Sequence, residues 1–304
     1  MGRRIDHQNK KRRARKVRIL AAACALVLAA GVLLVIGAVR IVDGLLQKDV
    51  VSSLTEFQSN SPGFNNGPAT GGSETPQSSD PRSAYPQVVA PNYTPPSSAS
   101  VALTVPKIMQ NPELPTGCEA TAAAMLLQAY GYSFSKQQVA DALPKSTFTT
   151  VEGRRYAAHP NEAFIGSPYT NAYGVYSQPV AQTMRELIAS VGGRHTPLVL
   201  TGCDENTILY YIANNMPVCI WATMGMAQTK YMPGWYIMRD GQLTDEYYEW
   251  LGNEHCLVLT GYTDEKVMVN DPLKNGVAWT YDRDTFFTRW KEQGTHAIVL
   301  TPSN

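Results

Sequence analysis

The 304-residue chain has five cysteines and five histidines, but no two of them stand at a C-x-x-C or H-x-x-x-H spacing. Without such spacing the sequence offers no ready metal-ligand set, and no cofactor is expected. His255 and Cys256 are neighbours, so on a strand they face opposite ways and do not easily share an ion. His159, His195 and His296 have no partner motif around them and read as structural or surface residues. No internal repeat is found, which argues against a stacked-repeat architecture. Acids are nearly missing from residues 1–18, where nine Lys and Arg residues face a single Asp6. The net charge of +1 for the whole chain hides this asymmetry. Also missing is an A-x-A-like cleavage site beside the apolar run that follows.

That run, Ile19–Val39, is uninterrupted, and its length suits the roughly 20 residues that cross a bilayer as a helix. Residues 19–42 are therefore expected to form an uncleaved transmembrane signal-anchor helix. The basic segment 1–18 would stay in the cytoplasm, leaving the C-terminal bulk extracytoplasmic. A cleaved secretory signal with a long basic leader is the alternative. A basic run also suits nucleic acid, but the adjoining span makes that an unexpected partner. Residues 43–103 are rich in Ser, Pro and Gly, with few large aliphatics after Leu54. Such a stretch buries too little apolar surface to offset its ordering entropy and reads as a flexible stalk. As a coil it would span about 40–45 Å, enough to hold a domain clear of a membrane, within or near a cell wall. Residues 104–304 have the size of one domain.

Within that domain the pattern is α+β, helices first and an antiparallel sheet after. Val105–Met109 reads as a short strand or extended lead-in. A helix is expected from Gly117 to Tyr130, with Thr116 as N-cap and Glu119 completing a T-x-x-E capping box. Further helices are expected over 136–143 capped by Ser135, over 178–190, from Asp204 to about Asn214, and from Asp282 to about Lys291. Strands are expected over 196–201, 217–222, 255–262, 266–270, 277–281 and 296–301. Residues 149–176 and 224–253 show no clear period and read as irregular. The Trp and Tyr residues of 221–250 suit a substrate cleft or a core equally.

Three features carry chemistry. Cys118 sits in the first turn of its helix, where free N–H groups and the helix dipole favour a thiolate. His255–Tyr262 and Val267–Asp271 flank the polar turn 263–266, so folding this hairpin brings His255 and Asp271 within about two residues of being opposite. A carboxylate on one imidazole nitrogen leaves the other free to act as a base. Gln110, eight residues before Cys118, is placed to donate its amide to an oxyanion beside the Cys118 N–H. Taken singly, each has a plain reading: a buried thiol, a sheet-end histidine with a turn aspartate, an exposed loop amide. An extracytoplasmic location also permits a disulfide among Cys203, Cys219 and Cys256.

The linked set resembles a known family, the bacteriocin-processing (double-glycine leader) peptidase-like cysteine peptidases of the papain-like superfamily, in a stand-alone membrane-anchored branch. The resemblance rests on Val105–Gln110, Leu114–Glu119 with its helix, Gly174–Tyr176, Pro217–Trp221, Glu254–Tyr262 through Asp271–Pro272, and the closing Phe286, Trp290, Gly294 and Ala297. It implies a papain-like fold, N-terminal helices packed on an antiparallel sheet. It further implies Cys118 as nucleophile, His255 as base, Asp271 as its orienter and Gln110 as oxyanion donor, acting on a peptide or protein substrate. Leader-processing members often carry Asp-Cys-Gly where this chain has Gly117-Cys118-Glu119. Two other functions suit the same residues: cell-wall amidase or transpeptidase chemistry, and a non-catalytic surface binding module.

Overall fold

The computed structural model describes residues 93–96 and 99–303. The basic segment 1–18, the span 19–42 and most of the stalk lie outside the described residues. Among the described residues no helix is long and apolar enough to cross a membrane.

The first strand, β1 (Val101–Ala102), lies inside the stretch read as stalk, so the ordered domain begins earlier than residue 104. Its two residues pair with Tyr262 and Gly261, holding this lead-in to the sheet. No strand forms over Val105–Met109. That segment runs past the sheet end, where the Asn270 side chain donates to the Val105 carbonyl at 2.9 Å. Helix α1 (Cys118–Ala129) is buried from Cys118 through Leu127 on every side, as its Ala-, Met- and Leu-rich sequence requires. Helix α2 (Lys136–Ala142) starts with a complete Ser135–Gln138 capping box. Next come β2 (Lys145–Ser146), β3 (Thr149–Val151), β4 (Arg154–Ala157) and β5 (Phe164–Ile165). Helix α3 (Ser177–Ser190) leads to β6 (His195–Val199). The Asp204 side chain accepts the Thr207 N–H and caps α4 (Glu205–Ala213), which precedes β7 (Val218–Thr223). Then follow β8 (Lys230–Arg239), β9 (Gln242–Gly252), β10 (Glu254–Tyr262), β11 (Lys266–Asn270) and β12 (Trp279–Asp282). Asp282 accepts the Thr285 N–H and caps α5 (Arg283–Glu292), and β13 (Ala297–Pro302) closes the chain.

The main sheet is antiparallel and runs β12-β11-β10-β7-β13-β6, with β1 beside the far end of β10. Two apolar clusters lie on its opposite faces. One joins α1, α2 and α3 to Trp221, Cys256 and Val258. The other joins α4 and α5 to Ile220, Leu257 and Leu259. Helices therefore cover both faces, and β10 is buried at all nine positions. This explains why its sequence lacks the polar alternation of a half-exposed strand.

Two stretches expected to be irregular carry strands. Within 149–176 there are β3, β4 and β5. Within 224–253, β8 and β9 form a long hairpin, part of a second sheet ordered β3-β4-β8-β9. The pairing shifts register twice, between Met232 and Trp235 and between Tyr236 and Met238, and those irregularities blur the period-2 pattern. Trp221, Trp235 and Trp250 are core residues, with the Trp235 indole donating to the Ala158 carbonyl. Exposed aromatics of this region are Tyr231 and Tyr247.

Candidate active site

One edge of the main sheet gathers the residues singled out above. His255 is the second residue of β10, and Asp271 follows the last residue of β11. The β10–β11 register pairs Val258 with Asn270, which places Asp271 beside Leu257 and diagonal to His255. At that diagonal spacing His255 Nε2 and Asp271 Oδ1 form a 2.7 Å hydrogen bond, with both side chains almost fully buried. His255 Nδ1 has no hydrogen-bond partner among the described residues. Asp271 is held from several directions. Its Oδ1 also accepts the Leu273 N–H at 2.8 Å, and its Oδ2 accepts the Tyr281 hydroxyl at 3.0 Å. Burial would push this carboxyl up, but the bonds from His255, Leu273 and Tyr281 outweigh it and hold the carboxyl below its ordinary value. The Lys107 ammonium donates to the Asp271 carbonyl at 2.6 Å.

Cys118 stands at this edge as the first residue of α1, but in different company. Its sulfur donates to Glu119 Oε2 at 3.2 Å, and no hydrogen bond joins it to His255 among the described residues. Glu254 and Cys256 leave β10 on the face that packs against α1, while His255 leaves on the other. The Cys256 N–H faces the sulfur and favours a thiolate. Burial, then the Glu119 and Glu254 carboxylates, act the other way and hold the thiol well above its ordinary value. The expected thiolate is thus replaced in this structure by a buried thiol, because desolvation and two acids outweigh the helix N-terminus.

The expected capping box is absent as well. The N-cap is Gly117, without a side-chain cap. The Thr116 hydroxyl is spent on the Thr170 carbonyl at 2.7 Å, and Glu119 turns inward. Glu119 Oε1 accepts the Val175 N–H at 2.8 Å, tying α1 to the segment before α3. Burial pushes the Glu119 carboxyl up to about 7. Glu254 is pushed well up, by burial first and then by Glu119. Gly174 lines this acid pair; a Cβ there would stand 2.6 Å from Glu119 Oε1.

Gln110 reaches the same edge, its N–H donating to the Pro272 carbonyl at 3.0 Å. Its side-chain amide donates to the Pro115 carbonyl at 2.8 Å, and its Oε1 is buried without a partner. The loop is clamped by Lys136, whose ammonium reaches the Met109 and Gln110 carbonyls and Glu113 Oε2.

The structure thus joins His255 to Asp271 and brings Gln110 alongside. It leaves Cys118 bonded to Glu119. Sequence reasoning missed Tyr281, Lys136 and Glu254. For Glu254 a signal existed, since alternation along the strand puts it on the Cys256 side. Tyr281 and Lys136 meet the site only through tertiary pairing. Among the described residues Cys118, Cys203, Cys219 and Cys256 are all free thiols.

Residues 102–298 match the sequence model of the Peptidase_C39 like family. The uncharacterized protein YvpB of Bacillus subtilis (strain 168) is 28% identical over 193 residues, 63% of this chain and 72% of that protein. A crystal structure of a C39-like peptidase from Bacillus anthracis is 30% identical, with a TM-score of 0.59, and the match covers 68% of this chain and 99% of that one. With that neighbour, the α+β architecture fits a papain-like fold.

Proposed function

The chain belongs to the Peptidase_C39 like family, and from that premise we propose that it is a membrane-anchored, extracytoplasmic cysteine peptidase. The observation that carries this reading is the buried 2.7 Å bond between His255 Nε2 and Asp271 Oδ1, with Nδ1 left over to take a proton. In the proposed cycle the Cys118 sulfur turns away from Glu119, round the end of β10 to the side on which His255 stands, and gives its proton to His255 Nδ1. The thiolate attacks a peptide carbonyl carbon. The oxyanion takes the Cys118 N–H and the Gln110 amide, turned from Pro115. His255 returns the proton to the leaving amine. Water, deprotonated by His255, then hydrolyses the thioester. The apolar run 19–39 would hold the enzyme at the membrane and the Ser/Pro/Gly-rich stretch would tether it. The substrate is a peptide or protein, met at the cell surface or wall.

One observation favours a second reading, a binding module on the same fold: Cys118 is bonded to Glu119 and not to His255. A thiol-directed electrophilic probe on the full-length protein near neutral pH separates the two. The peptidase reading expects labelling of Cys118 well above that of an exposed model thiol, lost in His255→Ala. It also expects peptide turnover that vanishes in Cys118→Ala. Labelling no faster than the model thiol, with no turnover, leaves the binding module.

A further inference from the structure

Where α1 meets the Glu254 side of β10, three acidic groups crowd together. The Cys118 sulfur, a Glu119 carboxylate oxygen and a Glu254 carboxylate oxygen all lie within 4.8 Å of one another. The residues are 6%, 0% and 8% exposed. Glu254 Oε1 is buried with no hydrogen-bond partner among the described residues, and Glu119 is bonded to the Cys118 sulfur and the Val175 N–H. A buried carboxylate without a partner is costly, so the group invites something to complete it. The wall opposite is Gly174, where a Cβ would come within 2.6 Å of Glu119 Oε1 and 3.0 Å of Glu254 Oε2. Glycine keeps that space open.

We propose that Cys118 Sγ, Glu119 and Glu254 form a binding site for one thiophilic divalent cation of the zinc class, with a fourth position for water. Tetrahedral zinc with bonds of about 2.3 Å to sulfur and about 2.0–2.2 Å to oxygen holds its ligands roughly 3.5 Å apart. The Cys118 Sγ to Glu119 Oε2 edge is already 3.2 Å. Glu119 Oε1 is fixed by the Val175 N–H, the kind of outer bond that orients a ligating carboxylate. Calcium prefers six to eight oxygens, and magnesium a nearly ideal octahedron; one sulfur and two carboxylates suit neither. Binding forms one metal–sulfur and two metal–oxygen bonds. The thiol proton, and any proton on the carboxylates, pass to solvent, and nothing is oxidised or reduced. With the ion in place the Cys118 sulfur is unavailable to attack a carbonyl. That consequence rests on the peptidase reading, whereas the binding itself does not.

The test is a metal titration of the full-length, chelator-stripped protein, first with Co²⁺ and then with Zn²⁺. One Co²⁺ per chain is expected, with a near-ultraviolet sulfur-to-cobalt charge-transfer absorption that Zn²⁺ abolishes by displacement. Cys118→Ala removes the absorption. Glu254→Gln, whose fold is checked by circular dichroism, keeps it and weakens Zn²⁺ binding by at least the roughly 10- to 100-fold that loss of even an outer partner costs. Cys256→Ser and His255→Gln leave ion binding unchanged. The proposal is overturned if the wild type shows no absorption, if the absorption survives Cys118→Ala, or if Glu254→Gln binds Zn²⁺ as tightly as wild type. Loss of binding in Cys256→Ser or His255→Gln also overturns it, by placing the ion on the neighbouring thiols or on the dyad. Probe labelling of Cys118 in the ion-free protein reports the nucleophile separately, so the two ideas fail independently.

Discussion

At the scale of single residues, the decisive contest is over the Cys118 proton. A helix N-terminus favours a thiolate, by about 0.3–1 kcal/mol at exposed sites, whereas burial beside two carboxyl groups opposes it more strongly. Glu119→Gln removes one of those charges while keeping an acceptor for the Val175 N–H. The Cys118 thiol pKa is therefore expected to fall, read as faster alkylation at neutral pH. The same change flattens stability against pH. The Glu119 carboxyl rises from 4.5 to about 7 on folding, so the folded state holds its proton more tightly than the unfolded one. Its contribution, of order 3 kcal/mol, is fully present below pH 4.5 and lost as pH rises through about 7. With chelator present, the denaturation midpoint of the wild type should drop across that window and that of Glu119→Gln should drop less. In the proposed cycle Tyr281 would act one step from the chemistry, through its bond to Asp271 Oδ2. Tyr281→Phe removes a bond to a charged acceptor, about 1.5–3 kcal/mol in such cases, and should lower kcat about tenfold or more with KM little changed. A matching shift in the pH profile of kcat, from a less firmly held Asp271–His255 pair, would tell a positioning role from general destabilisation.

At the scale of elements, legibility followed the strength of local signals. Ser135, Asp204 and Asp282 each cap the helix that follows them, because a side-chain acceptor for the first N–H groups is a local feature. The turn after β10 is equally local, and with it came the diagonal placing of His255 and Asp271. Thr116 and Glu119 misled, since the same T-x-x-E letters serve two tertiary contacts, with Thr170 and Val175, that no local rule contains. The β8–β9 hairpin was hidden by its register shifts and by Pro233 and Gly234 inside a strand, a pair that normally argues against one. Gly234 explains itself in the structure. A Cβ there would stand 1.6 Å from the Tyr248 carbonyl oxygen, so the strands meet only because it is missing. Gly234→Ala is expected to force the hairpin apart and destabilise the domain by about 3 kcal/mol or more, measured by urea unfolding. Gly225, which has open space around it though its φ is +59°, is the milder comparison and should cost about 1 kcal/mol as Ala.

At the scale of the whole molecule, the sheet is covered on both faces, and the end at which β10 starts and β11 stops carries the buried dyad. The family match begins at Ala102, the second residue of β1, so the basic segment and the apolar run lie outside it. The run Ile19–Val39 contains no charged residue, and the nine basic side chains before it oppose export of the N-terminus. Together they favour insertion with residues 1–18 inside and the domain outside. The alternative, a cleaved signal, would leave the same domain but free of the membrane. Expressed at full length in a bacterial host, the chain is expected to remain in the membrane fraction after an alkaline carbonate wash. External protease on intact cells should digest the C-terminal domain while sparing a tag placed before Met1. A domain found soluble, with a new N-terminus beyond residue 39, would replace the anchor by a cleaved signal. A domain shielded from protease until the cells are broken would reverse the orientation, and with it the extracytoplasmic substrate.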